Sequence, residues 1–390
     1  MAARASRVFV SVLLGLLVFA TVSTACIYWN IYGYPKLFGD FDTFRKAALH
    51  AVTGELPAVY DVARVRHLFE TGGIKDFAFF LNPPTGLFVV WPLAFMTRGV
   101  ALAFWTLAQF ALLFAVLRTE YVRRMFAPKM PDAVGTGPLL GICFIAFCLQ
   151  NVLYGQVAVL CCAMLLMVLA WRNSRPVLAG VLLGIFSFKP QLGVLLPVLL
   201  LAEKNWKVLL WAALTAGIMI LLSLGLWGTS LWTDYRQMVG IRAEFLAADP
   251  SLLFAISISA YAAIRNLGAS AVGGFACQGA IALAVIVSFW TALKNADEAR
   301  KLELLVLSTY LVTPYALVYD MPLLALPCAL LLRRAEADSA TRGELIALLL
   351  LVLIPVLALL LQIAHIPYTV IAIGFALIVA RMLNSTEKHG

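Results

Sequence analysis

The segment Gly39-Asp40-Phe41-Asp42-Thr43-Phe44-Arg45-Lys46 sets two carboxylates and two cations close together, directly after an apolar run of membrane-crossing length, Val8 to Trp29. Ionisable groups beside a lipid phase are costly to desolvate, so such a cluster in a membrane chain points to a functional site. Asp40 is the leading candidate for chemistry, and Asp42 is the second. The plainer alternative is that Asp40 caps an interfacial helix whose polar face holds Asp42, Arg45 and Lys46.

Other polar residues stand at the ends of apolar runs. Gln156 follows Gly155 at a turn, Lys189-Pro190-Gln191 interrupts the run Val177 to Leu201, and Tyr315 and Asp320 flank a late turn. A lysine beside a proline inside an apolar run leaves a compact cation at a kink, which suits an anionic group such as a phosphate. Each has a structural alternative. Lys189 could snorkel to the headgroups, Asp320 could cap a helix after Pro314, and Gln156 could serve helix packing. No GxxxxGK[ST] or GxGxxG loop follows a strand, no His/Cys/carboxylate group has zinc spacing, and no Gly-x-Ser-x-Gly elbow occurs. The sequence therefore calls for no cofactor and no metal.

These residues need a scaffold, and composition says which kind. With 390 residues, 63% of them hydrophobic and 13% charged, and a mean hydropathy of +0.95, the chain has more apolar residues than one soluble core can hide. Its apolar runs continue for roughly 15 to 25 positions without strand-like alternation, which predicts an all-α, polytopic helical membrane protein and not a barrel. The net charge of +9 sits in short loops between those runs. That is the positive-inside pattern and not a nucleic-acid surface. The cysteines lie in or near apolar runs and form no disulfide framework.

With Arg4 and Arg7 cytoplasmic, Val8 to Trp29 reads as a retained signal-anchor helix. It delivers the loop 36–83 outside, where six basic residues balance six acidic ones. Two amphipathic helices are expected there, Asp42 to Thr53 and Val62 to Phe69, lying along the interface. Thr85 to Met96 and Val100 to Leu117 together make only one net crossing, so one of them re-enters. Gly137 to Leu153 and Gln156 to Trp171 follow as a pair of spans. Val177 to Leu201 has cations at both ends, so it should be a hairpin turning at Lys189-Pro190. The segment 227–267 forms a second outer region, with Ser251 to Leu267 as an interfacial helix. Later spans end with Leu345 to Ile363 and Tyr368 to Ala380, for about 11 membrane segments in all. The whole chain, 1–390, reads as one integral membrane domain with no soluble unit.

The motifs Asp40-Phe41-x-x-Phe44-x-x-Ala47-Ala48, Pro83-Pro84-x-x-Leu87, Pro92-Leu93, Gly155-Gln156 and Ala179-Gly180 before Lys189-Pro190 resemble, in their order and spacing, the polyprenol-phosphate-mannose-dependent mannosyltransferases of glycosyltransferase family 87. These have the GT-C fold. The sequence departs from their pattern at Asn82, where an aromatic residue often precedes the proline pair, and at Tyr319-Asp320-Met321, which replaces a Trp-Asp-His version.

The resemblance implies transfer of a hexose, mannose foremost, from a polyprenyl-phosphate carrier to a lipid or glycan hydroxyl, with inversion, at the outer face of a bacterial inner membrane. It implies Asp40 as catalytic base with Asp42 in reserve. Lys189 would hold the donor phosphate, helped by Arg45 or Arg265, and Gln156, Gln191, Tyr315 and Asp320 would contact substrate. The partners implied are the lipid-linked donor, the acceptor and the membrane, with no nucleic acid. The alternative from another class is a transporter or flippase of a lipid-linked or anionic substrate, since broken helices and a lysine at depth also describe a substrate pathway.

Overall fold

The computed structural model describes residues 38–71, 79–126, 136–248, 257–336 and 340–363, with a few isolated positions towards either end. The expected first helix, Val8 to Trp29, and the last, Tyr368 to Ala380, lie outside the described residues apart from such isolated positions. Among the described residues the regular elements are helical, and the isolated bridge between Ser257 and Leu317 belongs to no strand. The protein is all-α. Among the described residues, three helices are long and apolar enough to cross a membrane.

The segment expected to form the first outer loop folds as α1 (Gly39–Thr53), a single turn Pro57–Tyr60, and α2 (Val62–Glu70). Gly54, at φ 81°, ends α1, and the Asp61 carboxylate caps α2 by accepting from the Arg64 N–H. Phe41, Phe44, Ala47 and Ala48 recur at helical spacing and are buried, so α1 has one apolar face to dock. It docks on the segment that follows.

That segment is broken into Pro84–Gly86, Leu87–Val90 and Trp91–Phe95. Pro84 and Pro92 each stand in the first turn of a piece, where a missing N–H is tolerated but the preceding helix cannot continue through it. About a dozen helical residues reach roughly 18 Å, short of a bilayer core of ~30 Å. The next helix, α3 (Arg98–Leu117), has 20 residues and can cross. Of these two runs, then, the second is long enough to cross a membrane and the first is not.

After α4 (Glu120–Phe126) come α5 (Thr136–Tyr154) and α6 (Ala158–Trp171), joined at Gly155. Then α7 (Pro176–Phe186), a turn at Pro190–Gly193 and α8 (Leu196–Ala202) lead to α9 (Trp206–Trp227). A Cβ on Gly180 would meet Trp211 Cβ at 2.5 Å, and one on Gly184 would meet Thr215 Cβ at 2.5 Å. Contacts therefore advance together along α7 and α9, and the two helices run in the same direction. The chain between them must reverse, so 176–202 is a hairpin with Lys189 at its tip. Its two ends meet again where Glu203 accepts from Arg172, with the Nε at 2.6 Å.

The stretch after α9, expected as a second outer region, holds α10 (Ser230–Ala248) and α11 (Ala260–Asn266). The helix expected over Ser251 to Leu267 is shorter than that. Ser257 and Ile258 are extended against the 316–317 backbone, and the Ser259 hydroxyl caps α11 at the Ala262 N–H. The serines bond locally in preference to continuing a helix. The chain then runs through α12 (Ala271–Ala292), α13 (Glu298–Val312), the tight helix Val318–Leu324, α14 (Ala325–Glu336) and α15 (Arg342–Ile363).

Burial separates the helices. The candidate spans α3, α9 and the one opening with α12 are only 28%, 22% and 22% buried along their most apolar stretches, which leaves most of each surface free to face lipid. By contrast α6 and α13, with 14 and 15 residues, are buried along most of their length. At one end these short helices are tied by charge: Arg172 at the end of α6 pairs with Glu203 and with Glu298 at the start of α13, and Lys301 closes the ring on both glutamates.

The close fit of Gly180 and Gly184 on α9 follows the small-residue logic of membrane helix packing. A Gly184→Val substitution should destabilise the fold by about 1–3 kcal/mol through overpacking. Thermal denaturation of the purified protein in detergent checks it, and an unchanged midpoint would mean that α7 and α9 do not depend on this contact.

Candidate active site

Four polar residues drawn from four parts of the chain meet in one hydrogen-bonded line. Gln156 Nε2 donates to Asp40 Oδ2 at 2.7 Å. Lys189 Nζ donates to Gln156 Oε1 at 3.2 Å and to Asp320 Oδ1 at 2.6 Å. Asp40 opens α1, Gln156 sits in the α5–α6 turn, Lys189 is at the hairpin tip, and Asp320 lies in the turn between α13 and α14. Lys189 is 4% and Asp320 0% exposed, whereas Asp40 is half-buried. Of the two aspartates in the line, only Asp40 is a residue that is partly exposed.

Local sequence explains why each side chain is there. Gly155 has φ 70° and its missing Cβ leaves room for Phe41, whose Cβ would otherwise be 2.4 Å away. Only glycine serves both needs at once. Phe38 N–H donates to Leu153 O at 2.8 Å, which docks the start of α1 on the end of α5. From α3, Trp105 Nε1 donates to Gly155 O at 3.0 Å and Gln109 Nε2 to Gln156 O at 3.2 Å. The turn that carries Gln156 is therefore held from both sides. Lys189 precedes Pro190, which cannot continue α7, and the break brings the ammonium back toward α6 and α13. The Tyr310 hydroxyl donates to the Asp320 backbone carbonyl.

Two tyrosines border the line. Lys189 Nζ lies 5.3 Å from the centre of the Tyr319 ring, and Tyr319 packs on Tyr154 with centroids 5.4 Å apart. One further cation faces the site: Arg242, half-buried on α10, is close enough for its charge to act on both Asp40 and Tyr319. It makes no hydrogen bond or ion pair among the described residues. Arg242 and the tyrosine pair were not among the residues singled out by sequence. The available signal was the spacing of Tyr235, Met238, Arg242 and Phe245, which puts Arg242 on the aromatic face of an amphipathic helix.

The other expected residues stand apart from this line. Asp42 forms a two-point ion pair with Arg98, at 2.8 and 2.9 Å. Arg45 donates to the Met96 carbonyl at 3.0 and 3.2 Å. It thereby ties α1 to the end of the broken segment. Arg265 donates to the carbonyls of Ala269 and Ala247 at 2.5 and 2.8 Å. Tyr315, like Phe245, packs against the buried pair Tyr261 and Ala262. Gln191 is half-buried one residue beyond Pro190 and has no hydrogen bond among the described residues.

The surroundings set the proton affinity of Asp40. Crowding by protein disfavours its charge and raises its pKa above the usual carboxylate range, with the Asp320 charge adding to this. The Gln156 hydrogen bond and the charges of Lys189 and Arg242 oppose the rise. The result is a carboxylate of increased basicity with one oxygen held and an open side.

Residues 80–314, more than half of the chain, match the sequence model of glycosyltransferase family 87. The chain belongs to this family. No curated protein and no solved structure matches it. Its helices and its family together make it a membrane glycosyltransferase, an enzyme that takes a sugar donor and an acceptor. The matched stretch contains Gln156, Lys189 and Arg242, while Asp40 and Asp320 lie beyond its two ends and are joined to it through the hydrogen bonds above. In this glycosyltransferase the polar line is thus assembled across the family core and its flanks.

A buried ion pair is worth most when one tries to break it, because the survivor is left as an unpaired charge. Lys189→Met should lower stability by about 3–5 kcal/mol, and Lys189→Met combined with Asp320→Leu should regain most of that. Thermal denaturation of the two variants in detergent distinguishes this from two independent losses, which would simply add.

Proposed function

We propose that this membrane glycosyltransferase moves a hexose, mannose by the family resemblance, from a polyprenyl-phosphate carrier to a hydroxyl of a lipid or glycan. The reaction takes place at the extracytoplasmic face of a bacterial inner membrane. Asp40 is the general base. The observation that carries this reading is the half-open carboxylate of Asp40, held by Gln156 at the head of a line whose far end is the buried Lys189–Asp320 pair.

An alcohol is a weak nucleophile at neutral pH, and a positioned carboxylate that takes its proton supplies roughly 10²- to 10⁴-fold in rate. The acceptor oxygen attacks the sugar C1 while its proton passes to the free oxygen of Asp40. The bond from C1 to the phosphate oxygen breaks on the opposite face, and its electron pair leaves with the phosphate. Attack from one face and departure from the other inverts the configuration at C1.

Helix length supports a lipid-borne donor. From the charged ring at one end, α6 and α13 rise about 21 and 22 Å before the chain turns at the site, whereas the lipid-facing α9 is long enough for about 33 Å. These lengths support a site set below the rim of the long helices, where the phosphate and first sugar of a membrane lipid could reach it. Orientation follows the cations. Arg118, Arg123, Arg124, Arg172, Arg175, Lys204, Arg300, Lys301, Arg333 and Arg334 belong to the inner connections under the positive-inside rule. That puts Asp40 on the opposite side.

Purified enzyme supplied with polyprenyl-phosphate mannose and glycolipid acceptors tests the reading. Asp40→Asn should cut the rate by roughly 10²- to 10⁴-fold while the protein stays folded, and full activity in that variant would remove Asp40 as the base. A second measurement follows from its pKa. The base works only when ionised, so kcat/KM should fall as pH drops through the raised pKa. Gln156→Leu deletes a hydrogen bond that favours the ionised form, so the acidic limb should move to higher pH. A limb that stays in place, or moves down, contradicts the role assigned to that contact.

A further inference from the structure

Among the described residues, one cation at the site has no partner. Lys189 is buried and compensated by Asp320 at 2.6 Å, and its second proton is committed to Gln156. Arg45 and Arg265 are committed to backbone carbonyls. Arg98 is committed to Asp42. Arg242 is different: it has no hydrogen bond or ion pair among the described residues, and it is near enough to Asp40 and Tyr319 for its charge to reach them.

The fold aims it there. On α10, Tyr235 packs on Tyr60 at 5.7 Å between ring centres and Phe245 packs on Phe69 at 5.4 Å. Met238 and Ile241 are buried beneath. Arg242 lies on the same helical face between those two aromatic anchors, so it is presented toward the first outer loop while its long side chain stays half-buried and unclamped.

We propose that Arg242 is the residue that binds the leaving phosphate of the lipid-linked donor, and that Lys189 is a positioning residue that holds Gln156 and Asp320. This rests on the donor class proposed above. The donor is a phosphodiester with one negative charge. As the C1–O bond breaks, its electron pair passes to the phosphate oxygen, and the departing polyprenyl phosphate becomes a dianion. In the same step the acceptor proton neutralises Asp40, so one negative charge moves from the base to the leaving group. A cation that serves such a step must be able to act on both. Arg242 acts on Asp40 in the resting site, and its planar, five-donor guanidinium matches a phosphate in two-point fashion. The Lys189 ammonium is fixed in a buried pair and would abandon Asp320, at 0% exposure, if it moved.

The experiment measures binding of polyprenyl phosphate itself, the product without sugar, to the full-length protein in detergent by titration under native mass spectrometry. Thermal denaturation serves as the check on folding. Arg242→Met should weaken binding at least about tenfold, and Arg242→Lys should recover part of the loss. Arg66→Met, which removes an exposed cation paired with Glu244 on a neighbouring helix, should leave binding unchanged. With active variants, the loss should appear in the KM of the donor and in kcat, not in the KM of the acceptor. Wild-type binding with no loss in either Arg242 variant overturns this assignment and leaves the donor class intact. An equal loss in Arg66→Met also overturns it, since that would reflect surface charge only. Failure of the wild-type protein to bind polyprenyl phosphate overturns both the assignment and the donor class.

Discussion

The buried ion pair between Lys189 and Asp320 is the interaction on which the arrangement depends. Two opposite charges at 4% and 0% exposure, 2.6 Å apart, can coexist only if both are delivered to the same place every time. Neither tolerates solitude in that environment. The pair therefore fixes the hairpin tip after α7 against the turn between α13 and α14. The ring of Arg172, Glu203, Glu298 and Lys301 fixes the same helices at their other ends. Helices clamped by charge at both ends have their heights set to within a turn. Their length, not a loop, determines how deep the site lies.

From this follows the division of labour among the polar residues. A base must be reachable, and a group that orients it must not move. Asp40 is half-buried and opens α1, which is itself held by the fit of Phe41 over Gly155. Gln156 transmits the rigidity of the buried pair to one oxygen of Asp40 and leaves the other available. Because glutamine is neutral, it does so without adding a charge that would depress the basicity of the carboxylate. A lysine in direct contact with Asp40 would hold the carboxylate ionised and make it a weaker base.

Much of this was legible in the sequence, for a definite reason. Asp40, Gln156, Lys189 and Asp320 are polar residues at breaks in apolar runs, where burial without a partner is expensive, so each implied a partner even though the pairing could not be read. The hairpin at Lys189 was readable because cations at both ends of 177–201 forbid a single crossing. Arg45 and Arg265 illustrate the limit. Both are cations near the outer face, but they satisfy exposed backbone carbonyls at the ends of the broken segment and of α10, a role that composition does not separate from ligand binding. Arg242 was missed for the converse reason. In a polar outer segment an arginine is unremarkable by type, and only the placement of Tyr235 and Phe245 against α2 and its preceding turn shows that it faces inward. The break of the expected helix at 257–259 was equally invisible, because the Ser257 hydroxyl and the Ile258 N–H are held by the Ala316 carbonyl, 59 residues beyond Ser257.

A site at this depth also constrains what can leave it. In a low-dielectric setting the dianion formed by departure of a lipid phosphate is costly unless a cation follows it, and the attraction that stabilises it there is stronger than in water. If every cation in the site were locked in a buried pair, the product would be stabilised only in place, and release along the membrane would be opposed by the same field that favoured its formation. An arginine mounted on the outer rim, half in solvent and free of a fixed partner, avoids that trap on the proposed reading. It can meet the phosphate where charge develops and let it go toward the headgroup layer without disturbing Lys189 and Asp320. The rigid pair and the unclamped arginine are then complementary requirements of one reaction: a base that must not shift, and a leaving group that must.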